Sequence, residues 1–309
     1  MKTNLFFPGQ GSQYAQMGLD FYRNYKTYKN IIDQVSDLTG IDLINILEDA
    51  SKLNETENAQ IAIFTMSYGI TRLLEEEGIP MDSALGMSLG EYGALTLAKV
   101  MTYEDTLKLL RKRSELMQKA SRETEGFLAA VSFMGNDAVK EALEGLEKVW
   151  ISNINAENQT VVGGEIQMRD EFEKRIKEKG GKKITYLQVS GAFHTPLMKP
   201  AGEAFKAYLE EFQLNQAIIP VLSNFKGDFY KNEDDVKEIL SKHIYSTVLL
   251  SSCIEKLETK EEDLNIVLGP GKAMASILKQ NKAEGQTIII NSVEDYKNAV
   301  LILKEKLNG

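Results

Sequence analysis

Short apolar runs alternate with helix-length patterned stretches along most of this chain, and that alternation leaves few folds open. Leu5-Phe6-Phe7 is a strand-like run stopped by Pro8-Gly9-Gln10-Gly11-Ser12, a tight glycine-rich loop. Helical patterns follow over residues 22–49 and 58–77, then a strand-like run into Gly86-Met87-Ser88-Leu89-Gly90 and a helix to about residue 99. Thr102 is placed to cap a helix running to about residue 120, with Glu104 and Asp105 in its first turn. A helix at 200–212 is then expected, followed by strands at 218–223, 265–268 and 287–290, with a helix at 235–244 and another after Gly269-Pro270-Gly271 between them. Strands that alternate with helices build a parallel α/β core.

Residues 126–190 have a different texture. Strand patterns at 127–133, 149–155, 160–163 and 183–189 enclose helical patterns at 136–146 and 166–179. The order β-α-β-β-α-β is the split ferredoxin-like unit. Expected domains are therefore residues 1–124 and 192–309 as the two parts of a large α/β domain, with 125–191 inserted as a small one.

Charge and composition exclude several function classes. The net charge is −9 with no long basic run, which argues against nucleic acid. Cys253 is the single cysteine, so no intrachain disulfide framework and no thiolate zinc site is expected, which suits a reducing cytoplasm. No stretch of about 18 apolar residues occurs, so no membrane span is expected.

Gly86-Met87-Ser88-Leu89-Gly90 fits G-x-S-x-G, in which a serine sits on a sharp strand-to-helix turn and the glycines leave room for crowded backbone. The alternative is a glycine-flanked turn without chemistry. The strand-like run before it and the Ala/Leu-rich helix after it favour a nucleophile, with the Leu89 N–H facing a developing oxyanion. A serine hydroxyl needs a base. The chain has two histidines. His194, in Gly191-Ala192-Phe193-His194, stands just past the last strand of the inserted unit, whereas His243 reads as a helix-surface or C-terminal-turn residue. Taken alone, His194 is as compatible with a structural role as with catalysis; pairing with Ser88 decides for the base. Arg113 has Leu109, Leu110, Leu116 and Met117 at helical spacings and so points inward. It is open to two readings. One is an internal ion pair or an arginine that snorkels out; the other is a site for a substrate carboxylate.

Taken together, these residues resemble the malonyl-CoA:acyl carrier protein transacylases and the related acyltransferase domains of polyketide and fatty-acid synthases. The likeness rests on Phe7-Pro8-Gly9-Gln10-Gly11-Ser12-Gln13, on Gly86 to Tyr92, on Arg111 to Met117, on Gly191 to His194 with Leu197-Met198-Lys199-Pro200, on Pro220 to Asn224, and on Gly269-Pro270-Gly271-Lys272. The resemblance implies a hydrolase-like parallel-sheet core with the inserted ferredoxin-like domain. It implies Ser88 as nucleophile, His194 as base, the N–H groups of Gln10 and Leu89 as oxyanion hole, and Arg113 as partner of the malonyl carboxylate. Phe193 matches the pocket residue of malonyl-selective members. Met87 stands beside the substrate where histidine is usual, so that histidine's polar contact is absent. Leu249 stands where a polar or basic residue is usual, at the position expected to orient the catalytic histidine; a backbone carbonyl there allows leucine, whereas a side-chain role does not.

The activity implied is ping-pong transfer of malonyl from malonyl-CoA, through a malonyl-serine ester, to the phosphopantetheine thiol of an acyl carrier protein, for fatty-acid synthesis. No metal or other cofactor is needed, and a cytoplasmic monomer is expected. A stand-alone acyltransferase of a polyketide assembly line has the same sequence features. A serine esterase or thioesterase usually orders its residues Ser, acid, then a late His; here the base comes mid-chain and Arg113 has no hydrolytic role.

Overall fold

The structure is a computed structural model that describes residues 1–308. Its strands are β1 (Thr3–Phe7), β2 (Ser83–Gly86), β3 (Gly126–Ser132), β4 (Val149–Ala156), β5 (Gln159–Glu165), β6 (Lys183–Tyr186), β7 (Val221–Ser223), β8 (Asp228–Phe229), β9 (Leu264–Leu268) and β10 (Gln286–Ile290). The chain divides into two compact units. The first comprises Met1–Arg111, Leu214–Leu222 and Glu258–Gly309, the second Lys112–Gln213 and Ser223–Leu257.

In the first unit, parallel strands lie in the order β10-β9-β1-β2-β7. β1 and β9 are buried along their whole length, as strands covered on both faces must be. A polar ladder crosses the sheet centre: Ser83 Oγ donates to Asn4 Oδ1 at 2.8 Å, and Asn4 Nδ2 donates to Asn265 Oδ1 at 3.1 Å. Each buried amide thereby meets a partner, which avoids the penalty for an unsatisfied polar group. The pattern expected as helix over 22–49 is broken at Gly40, whose φ of 71° ends the helix Lys26–Thr39 before Leu43–Glu48 begins. Thr102 caps as expected, its Oγ1 accepting from Asp105 N at 3.0 Å.

In the second unit, an antiparallel sheet has the order β4-β5-β3-β6. The first and third strands of the β-α-β-β-α-β run are central, which is the ferredoxin-like arrangement. Phe127, Val131, Val139, Val162, Phe172 and Ile176 form its core between the sheet and the helices Asn136–Leu143 and Arg169–Glu178. The Phe127 and Phe172 rings lie 5.3 Å apart.

Among the described residues, no helix is long and apolar enough to cross a membrane, and no group of three or more His, Cys, Asp or Glu side chains is placed to hold a metal ion.

Candidate active site

The serine stands at a turn that only glycine-flanked backbone can make. β1 and β2 run in register, with Phe7 opposite Gly86, and Met87 N then donates to Phe7 O at 3.0 Å. Ser88 follows with φ +54°, a left-handed conformation that is uncommon for a residue with a side chain. The helix Gly90–Leu97 starts immediately, with Gly90 N bonded to Met87 O and Glu91 N to Ser88 O. A Cβ on Gly86 would overlap the Gly90 carbonyl, and one on Gly90 would overlap Phe7 O. Both glycines are therefore demanded by close backbone approach. Leu89 occupies the N-cap, where N–H groups lack intrahelical partners and favour negative charge.

The loop after β1 lies against this turn. A Cβ on Gly9 would come within 2.7 Å of Met87 Cε and 2.9 Å of Met87 O. Ser12 Oγ donates to Gly9 O at 2.6 Å, and Gln10 Nε2 donates to Thr56 Oγ1 at 3.1 Å, which anchors the Gln10 side chain. Gln10, Met87, Ser88 and Leu89 thus gather at the carboxyl ends of β1 and β2, where open α/β sheets bind ligands.

The second unit gathers the remaining residues. His194 is buried, with φ +59°. Its Nδ1 lies 2.8 Å from the His243 carbonyl oxygen, which can only accept, so Nδ1 carries the proton and Nε2 the lone pair. The two imidazole rings stack with centroids 5.0 Å apart. Burial, reinforced by the Arg113 guanidinium, pushes His194 down to about 3, against the opposing pull of the His243 carbonyl; His243 is likewise held well below the usual histidine range by its burial. Both rings are neutral at neutral pH, the form a general base requires. Arg113 is 1% exposed and among the largest fully buried side chains. The apolar neighbours Leu109, Leu110 and Met117 share its burial. Phe193 is buried, and its carbonyl accepts from Ser152 Oγ at 2.9 Å.

A family model described as the acyl transferase domain matches residues 5–303. This chain belongs to the acyl transferase family. A Bacillus subtilis protein named malonyl CoA-acyl carrier protein transacylase is 33% identical over 311 residues, spanning 99% of this acyl transferase and 98% of its own length. The crystal structure of a protein of the same name from Clostridium perfringens is similar with a TM-score of 0.93, 31% identity, and coverage of 99% and 98% of the two chains. A complex described as a type II PKS acyl-carrier protein with its malonyl-transacylase is similar at a TM-score of 0.92 and 25% identity, covering 98% of this chain and 100% of that one.

Two expectations for this acyl transferase need correction. Of the two readings for His243, the C-terminal turn holds and the helix surface does not. The residue ends the helix Val236–His243 with 1% exposure, because its ring packs on His194. Nor does the position of Leu249 orient His194: the Nδ1 acceptor is the His243 carbonyl, while Leu249 N donates to Asn224 O at 2.8 Å. Sequence reasoning misses the His243 carbonyl and Ser152. The first bonds His194 from 49 positions away and the second bonds Phe193 from 41, so no local pattern reports them.

Proposed function

We propose that this chain transfers the malonyl group of malonyl-CoA to the phosphopantetheine thiol of an acyl carrier protein. Ser88 Oγ attacks the malonyl thioester carbon while His194 Nε2 takes its proton. The N–H groups of Leu89 and Gln10 stabilise the tetrahedral oxyanion, each such donor being worth about 3 kcal/mol. The C–S bond breaks, the proton passes to the departing thiolate, and coenzyme A leaves a malonyl ester on Ser88. The carrier thiol then attacks the ester, giving its proton through His194 back to Ser88.

The observation that carries this reading is the buried guanidinium of Arg113 acting on His194 within the second unit. A guanidinium there matches a planar carboxylate bidentately. Malonyl-CoA supplies one and acetyl-CoA does not. Burial is the larger cause of the lowered His194, and pairing offsets the part that comes from the Arg113 charge, so a carboxylated substrate raises the basicity of its own catalyst. Phe193 and Met87 bound the acyl pocket in this reading. The B. subtilis and C. perfringens relatives' names support the same substrate pair. The type II PKS complex among the structural relatives favours a polyketide carrier as the second reading of the partner. Lys199 and Lys272, both exposed, are candidate contacts for an acidic carrier. The reading extends to domains 1–124, 125–191 and 192–309, a monomer, and a cytoplasmic setting.

The test measures kcat/KM for malonyl- and acetyl-CoA in wild type and Arg113→Ala, with folding checked by thermal melt. Malonyl transfer is expected to fall about 10- to 150-fold and acetyl transfer far less, given that hydrogen bonds to charged groups contribute about 1.5–3 kcal/mol. An unchanged ratio in a folded variant rules out the carboxylate-reading role.

A further inference from the structure

Three contacts seat the loop that carries His194, and each depends on a missing Cβ. A Cβ on Gly191 would overlap Ser121 Oγ and stand 2.7 Å from Ser121 Cβ. One on Gly126, at the start of β3, would lie 2.9 Å from Ala192 Cβ and 3.1 Å from Ala192 N. One on Gly163, in β5, would lie 3.0 Å from Thr195 Cγ2. All are closer than the roughly 3.5–4.0 Å at which carbon atoms rest. The loop is therefore closed at backbone distance onto the helix Tyr103–Glu123 and onto two strands of the small sheet. Its own bonds complete the seat: Phe193 N to Gly191 O at 3.0 Å, Thr195 Oγ1 to Ala192 O at 2.6 Å, and His194 N to Ile244 O at 3.2 Å. Such over-determination is what holds a non-glycine residue at positive φ.

The Gly191 contact differs from the other two because the helix it touches also carries Arg113. Arg113, Met117 and Ser121 are spaced i, i+4, i+8 and share one helix face. Ser121 is buried, and its Oγ donates to Met117 O at 2.8 Å, which turns it back onto that face. We infer that the Gly191–Ser121 contact is a positioning device that sets the separation between the Arg113 guanidinium and the His194 imidazole, and with it the preference for a carboxylated acyl group. The inference rests on the roles of Arg113 and His194 proposed above. In a malonyl thioester a single methylene joins the carboxylate to the reacting carbonyl carbon. A site that grips one end and reacts at the other must hold its two groups at a matching distance. An acetyl group makes no such two-point demand. Any side chain at position 191 wedges the loop from the helix and spoils malonyl transfer more than acetyl transfer.

The experiment is a rescue. Gly191→Ala is expected to lower kcat for malonyl-CoA by about 10- to 100-fold, the scale of a misplacement near 1 Å, and to lower kcat for acetyl-CoA by less. Adding Ser121→Gly removes both atoms that the new methyl strikes and leaves Ser121 Cα at 3.3 Å from it. The double variant is expected to recover most of the malonyl rate and the malonyl-to-acetyl ratio, although a glycine within a helix lowers the melting temperature. Recovered selectivity in a less stable protein is a result that a merely structural contact does not produce. An unchanged ratio in folded Gly191→Ala, or a double variant no better than the single, overturns the inference. Should Gly191→Ala fail to fold, Ser121→Thr presses on the same seam from the helix side with one methyl and is measured the same way. Arg113→Ala separates the two levels. If it leaves the ratio unchanged, the carboxylate-reading role falls and takes this inference with it; if it changes the ratio while Gly191→Ala does not, only this inference falls.

Discussion

The Ser88 turn and the His194 loop solve the same backbone problem in opposite ways. Each holds a residue with a side chain at positive φ, +54° and +59°. Each is seated by contacts that tolerate no Cβ. At Ser88 the glycines that permit the turn are two residues to either side, and their closest partners are the turn itself and the adjacent strand β1. At His194 the permitting residues are Gly126, Gly163 and Gly191, and the bonding partners are Ser152, His243 and Ile244. Strain at Ser88 is thus relieved locally, whereas strain at His194 is relieved by the tertiary structure of the whole second unit. A local device survives as a short pattern; a distributed one leaves no pattern to find.

The largest effect is expected at the proposed nucleophile and base, Ser88 and His194. Ser88→Ala should abolish the acyl-enzyme seen by intact mass after malonyl-CoA treatment and lower transfer by on the order of 10⁴-fold or more. His194→Ala should lower it by about 10²–10⁴-fold. Label retained on Ser88→Ala, or full transfer by His194→Ala, breaks the assignment on that side of the comparison.

Gly90→Ala sharpens the local half. Its methyl meets the rigid Phe7 carbonyl, so a destabilisation at the upper end of the usual overpacking range of about 1–3 kcal/mol is expected in denaturant melts. A wild-type midpoint would mean that the Ser88 turn yields more readily than its contacts imply.

Acid separates the halves next. His194 is buried neutral, lowered from 6.5 to about 3, so the unfolded chain binds its proton first. Above pH 6.5 both states are neutral and the group imposes no penalty. As pH falls from 6.5 toward 3, protonation of the unfolded chain removes stability progressively. Each pH unit in that window costs about 1.4 kcal/mol, so the loss from His194 at pH 5 is about 2 kcal/mol. His243 is lowered the same way and adds to it. His243→Gln should flatten the fall in melting temperature between about pH 6.5 and 5, the upper part of the window in which the unfolded chain gains its protons. An equally steep fall would remove His243 from the titrating pair.

The smallest effect is expected at Leu249. Since the His243 carbonyl holds His194 Nδ1, Leu249→Ala should change kcat less than about 3-fold, a change below about 1 kcal/mol. A loss of about 100-fold, the scale of a removed base or its positioning, would return the orienting role to that side chain.

Much of this protein is readable without coordinates. The parallel α/β core, the β-α-β-β-α-β insertion, the Thr102 cap, the serine turn and the inward-facing Arg113 all follow from period, spacing and turn chemistry, which act between residues a few positions apart. The break at Gly40 escapes such a reading because a helical period continues on both sides of it while one left-handed residue redirects the chain. What tertiary structure alone decided is the state of His194. His194 is a neutral imidazole because burial, with a second imidazole over its face and Arg113 repelling further charge, lowers it, and its proton sits on Nδ1 because a carbonyl 49 residues later accepts it. His243 ends the helix Val236–His243, and only packing makes that terminal residue a buried partner rather than a surface one. Residue type and local spacing set which groups this chain offers for chemistry; desolvation and long-range contacts, which exist only once the second unit is folded, set their protonation and aim.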